Sequence, residues 1–149
     1  MPTCTFFGHR DCPDSVRPAL QQAIIRLIEE NGVDRFYIGH QGRFDRLALA
    51  VLQQVAAVYP QIRYEVVLAY VPARTKDPLI SEGLCTMLPE GIEKAPRRFA
   101  ISYRNRWLVE HADYVIAYVL YRGGAMQCVE LAQRNGKQIL WLNEARERC

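Results

Sequence analysis

The chain has 149 residues, enough for one domain with one substantial core. Half of the residues are apolar and 23% are charged, the balance of an ordinary globule and not of a disordered tail. The net charge of +3 is too small to indicate a nucleic-acid-binding stripe and argues against direct DNA binding. Arginine supplies sixteen of the nineteen basic residues, and its planar fork suits carboxylate and phosphate oxygens. No apolar run reaches the roughly 20 residues needed to span a bilayer, so no membrane partner is expected. The opening residues lack the layout of a secretory signal and read as a strand. Cys4, Cys12, Cys85, Cys128 and Cys149 are scattered, with no C-x-x-C pair, and read as reduced thiols of a cytoplasmic protein. Neither a metal site nor a cofactor is called for by this pattern.

Thr3–Phe7 is β-branched and aromatic, reads as a strand and ends at Gly8. Ser15–Asn31 has apolar residues at helical spacing, with Asp14 or Ser15 as the cap, Pro18 in the first turn and Asn31-Gly32 as the stop. Arg35–Ile38 is a second strand, Phe44–Tyr59 a second helix and Tyr64–Tyr70 a third strand. Val71–Arg98 holds four prolines and two glycines and reads as a long irregular connection, of the kind that forms a lid or binding loop. Arg104–Glu110 is helical, with Trp107 and Leu108 inward. Tyr114–Val119 is an apolar strand of the kind buried on both faces. Gly124–Asn135 is a helix ended by Gly136, Gln138–Leu142 a last strand, and Glu144–Cys149 a polar tail. This order predicts an α/β fold of Rossmann-like type, a single domain over 1–149 with a mostly parallel five-stranded sheet and helices on both faces.

In such a sheet ligands bind beyond the carboxyl ends of the strands, where helix N-termini point free N–H groups outward. Three strand ends carry candidate ligand-binding residues. The first is Gly8-His9-Arg10, where Gly8 admits close backbone approach and Arg10 can grip a phosphate or carboxylate. The second runs from Gly39 and His40 to Gly42 and Asp45; two glycines opening a helix can cradle an anion. Asp45 is either a first-turn acid or a partner for ribose hydroxyls. His9 and His40 are candidates to face one ligand. The third is Gly123-Gly124 at the start of a helix that carries Glu130, with Arg104 and Arg106 on the preceding helix. The competing readings are a solvent-facing Glu130 and an Arg106–Glu110 surface pair. Neither the G-x-G-x-x-G dehydrogenase fingerprint nor a P-loop is present. Cys128 reads as a small buried residue instead of a reactive thiol.

Phe-Phe-Gly-His-Arg, Gly-x-x-Gly-x-x-Asp, Arg-Asn-Arg-x-x-Val-x-x-x-Ala-Asp and Gly-Gly-x-x-x-x-x-Glu, in that order, resemble the SLOG superfamily. It groups the LOG phosphoribohydrolases, the DNA-processing protein A family and the uncharacterised YpsA-like bacterial proteins, and the YpsA-like branch is the nearest in look. The resemblance covers nearly the whole chain and implies a Rossmann-like sheet that binds a nucleotide or nucleotide-derived ligand, and, from the LOG enzymes, a homodimer. In those enzymes an arginine and a glutamate cleave the N-glycosidic bond of nucleoside monophosphates. Carried over, the resemblance implies Arg104 and Glu130 as catalytic residues, with Gly123 and Gly124 as the paired glycines. Asn105 stands where lysine is expected, Arg122 replaces the motif's proline, Met126 its third glycine and Gln127 its threonine. These departures favour binding over hydrolysis. The remaining alternative is an interaction module without a small-molecule ligand.

Overall fold

The computed structural model describes residues 2–40, 42–69 and 85–142. Six strands form one sheet: β1 (Thr3–Gly8), β2 (Arg35–Ile38), β3 (Arg63–Val67), β4 (Thr86–Met87), β5 (Tyr114–Tyr118) and β6 (Gln138–Trp141). Among the described residues four α-helices join them: α1 (Arg17–Asn31), α2 (Gly42–Val58), α3 (Ala100–His111) and α4 (Gly124–Arg134). The sheet order is β4-β3-β2-β1-β5-β6, and all of its pairings are parallel. The expected count of five strands is therefore corrected to six. The additional strand is a two-residue edge piece inside the segment read as irregular, and it pairs Val66 with Thr86 and Val67 with Met87. Residues 71–84 of that segment and the tail 144–149 lie outside the described residues.

Alternation along each strand explains how helices cover both faces. Phe6, Phe36, Ile38, Val66 and Ile116 point to one face and pack with Leu20, Ile24 and Leu27 of α1 and Val51 and Leu52 of α2. Phe7, Tyr37, Val67, Val115 and Ala117 point to the other, against Leu108 and Val109 of α3 and Val129 and Ala132 of α4. Helix α1 starts later than its capping residues suggest. Asp14–Val16 forms a single 3-10 turn, and no side-chain cap bond is made at Val16, so neither Asp14 nor Ser15 caps the helix. Its stop is as expected: Gly32 is left-handed, and its N–H and that of Val33 both bond to the Leu27 carbonyl.

The chain winds outward from β1 through β2 and β3 to β4, then returns to β5 on the other side of β1. The connections after β1 and β5 therefore leave in opposite directions, which opens a crevice at the carboxyl ends of the two central strands. Among the described residues no helix is long and apolar enough to cross a membrane.

Candidate functional site

A cavity of about 340 Å³ occupies this switch point, floored by the end of β1 and walled by α3 and the start of α4. Its size falls within the roughly 300–1,000 Å³ of small-molecule sites. The turn after β1 forms one rim. His9 is buried, and its Nε2 accepts a hydrogen bond of 2.7 Å from the Leu120 N–H, beyond the end of β5. The imidazole is therefore neutral with its proton on Nδ1. Burial pushes its pKa below the usual histidine range, against a weaker upward pull from Asp11. The Tyr121 ring stacks on His9 at 3.8 Å between centroids with planes 4° apart, and its hydroxyl donates to Asp11 Oδ1 at 3.2 Å. His9 thus ties the β1 and β5 turns together on the cavity rim.

The turn after β2 forms the opposite wall. A Cβ on Gly39 would lie 2.9 Å from Asp45 Oδ2 and 3.2 Å from Arg104 Cζ, so the carboxylate and the guanidinium converge on this one glycine. Arg104 is 2% exposed; its Nη1 donates to the Val67 carbonyl at 3.0 Å and its Nε to Asn105 Oδ1 at 2.9 Å. The bonds to Val67 and Asn105 satisfy a buried cation that would otherwise be costly, and Asp45 compensates its charge from nearby. Cys128, one turn into α4, completes this wall. Burial pushes its thiol up to about 11, outweighing the downward pull of Arg104 and of a hydrogen bond with Asn105. It is therefore a protonated thiol at neutral pH.

Two of the strand-end glycines serve the framework. A Cβ on Gly8 would meet the Phe44 ring at 2.3 Å, so Gly8 lets α2 pack onto the end of β1. Gly42 has φ 88°, and its Cβ would meet the Arg10 Cα at 2.6 Å, while the Arg43 N–H bonds to the Arg10 carbonyl at 3.0 Å. Together these contacts hold the Arg10 turn against the start of α2. Gly123 and Gly124 differ, since a Cβ on either would meet nothing within 4 Å. The N-terminal turn of α4 is open on the cavity side.

Of the residues singled out in the sequence, Gly8, His9, Arg10, Gly39, Asp45, Arg104, Gly123 and Gly124 line this one cavity. Gly42, His40, Arg106 and Glu130 do not line it. Arg106 is exposed on α3, and Glu130 is half-buried, two positions beyond Cys128 and so turned to another side of α4. Asp11, Asn105, Tyr121 and Cys128 also line the cavity, although no motif singles them out in the sequence. Their signal was position alone: Asp11 and Asn105 adjoin Arg10 and Arg104, Tyr121 lies two residues before Gly123, and Cys128 follows Gly124 at helical spacing. Among the described residues no group of three or more His, Cys, Asp or Glu is placed to hold a metal ion. No family model and no curated protein matches the chain.

Proposed function

We propose that this protein binds a nucleotide or nucleotide-derived anion in the switch-point cavity, as a SLOG-type protein of the bacterial cytoplasm. The observation that carries this reading is that Arg10 and the open N-terminus of α4 line the same cavity. A helix N-terminus favours an anion by its exposed N–H groups and its dipole, and an arginine adds a charge-assisted partner. Asp45, beside Arg104 on the cavity wall, is suited to accept from sugar hydroxyls. Free, mostly buried cysteines fit a reducing compartment.

The hydrolase reading needs Glu130 at the cavity beside Arg104. Glu130 does not line it, so binding is the function proposed. A thermal-shift panel of AMP, CMP, GMP and UMP tests this. At a concentration about 100 times Kd the midpoint should rise by roughly 5–10 °C for at least one nucleotide. The rise should vanish in Arg10→Ala. A flat response across the panel overturns the proposal in favour of an interaction module.

A further inference from the structure

The ring of Tyr121 is both immobilised and uncovered. His9 lies parallel to it at 3.8 Å, and its hydroxyl is tethered to Asp11. The preceding residue, Leu120, is itself fixed by its N–H bond to His9. Even so, Tyr121 is 54% exposed, and it lines the cavity together with Gly123 and Gly124. An aromatic side chain held by two contacts next to an anchored backbone has little conformational freedom left to lose, so stacking a partner on its free face comes at low entropic cost.

We propose that the face of Tyr121 opposite His9 is a stacking platform for the planar heteroaromatic ring of the ligand. This selects nucleoside phosphates over sugar phosphates and inorganic phosphate. The inference rests on the anion-binding reading above. Tyr121 is two residues from Gly123, so their backbones are at most roughly 7 Å apart, a separation that a ribose can bridge. A ligand with its phosphate at the start of α4 would thus bring its base within reach of Tyr121. The base would become the third ring of a stack begun by His9 and Tyr121. Stacking is tolerant of base identity because every base has a π face, so this platform separates bases from no base more sharply than one base from another.

Calorimetric titration of the full chain with AMP, ribose 5-phosphate and inorganic phosphate tests the platform. Wild type should bind AMP more tightly than ribose 5-phosphate. In Tyr121→Ala the AMP affinity should fall by roughly 5- to 150-fold, so that the preference over ribose 5-phosphate collapses. Tyr121→Phe keeps the ring without the Asp11 bond and should retain the preference. Proton NMR of bound AMP should show the adenine ring protons shifted upfield by the tyrosine ring in wild type and Tyr121→Phe, a readout that does not need the alanine variant to fold. Equal affinity of wild type for AMP and ribose 5-phosphate would overturn the platform and leave the anion site standing. So would an equal loss for both ligands in Tyr121→Ala. Binding of none of the three would sink both readings.

Discussion

His9 remains a neutral imidazole because protonating Nε2 would break its bond with Leu120 and place a charge in a buried position. Its pKa is lowered in the folded state, so as pH falls below about 6.5 the unfolded chain takes up a proton that the folded chain does not. Stability should therefore be full above that pH and decline below it. Urea midpoints between about pH 5 and 7.5 should show this slope, and His9→Gln should flatten it. An unchanged slope in the variant would show that His9 is not the group responsible. Cys128 gives a second residue-scale outcome. Iodoacetamide at ~pH 8 should modify exposed Cys85 well before Cys4, Cys12 or Cys128, as peptide mapping can show, because burial keeps those three thiols protonated. Glu130→Gln should leave nucleotide affinity unchanged, since its side chain is not part of the cavity.

At the scale of elements, two contacts join the pieces that frame the cavity. Arg104 fastens α3 to the end of β3 through the Val67 carbonyl, and Arg104→Met should cost about 1–3 kcal/mol in urea unfolding, because the freed carbonyl is buried. Gly42 fastens the start of α2 to the Arg10 turn. Gly42→Ala should cost at least about 1–2 kcal/mol, from a left-handed backbone and a clash that no rotamer can relieve. These elements were largely legible in the sequence. β1, β2, β5 and the bodies of all four helices follow from apolar spacing, and Gly32 and Gly136 end helices as read. The start of α1 was not legible, since Asp14 and Ser15 have the chemistry of caps but are drawn into a 3-10 turn behind Pro13. β4 could not be found either. Two residues show no alternation, and only the neighbouring edge of β3 makes them a strand. In the site, the three strand ends were legible in the sequence, but the packing at two of their glycines was not. Gly8 and Gly42 look like ligand-facing glycines, yet the residues that require them, Phe44 and Arg10, are brought to them only by the fold.

For the whole molecule, the decisive feature is topological. With β1 and β5 adjacent at the centre and their connections diverging, residues far apart in the chain share one crevice: Arg10, Asp45, Arg104 and Gly124 span most of its length. Strand order is the part that sequence pattern conveys least, because alternation reveals that strands exist and not which ones pair. The proposed occupant of this crevice is a nucleotide-like anion. Amide chemical-shift mapping of the 17.2 kDa chain during an AMP titration reports that occupancy residue by residue. Saturable shifts are expected in the turn at Gly8–Asp11, at Gly39 and at Gly123–Ala125, with the amino ends of the strands unmoved. Shifts centred elsewhere, for example along β6 and α1, or none at millimolar AMP, would contradict that occupancy.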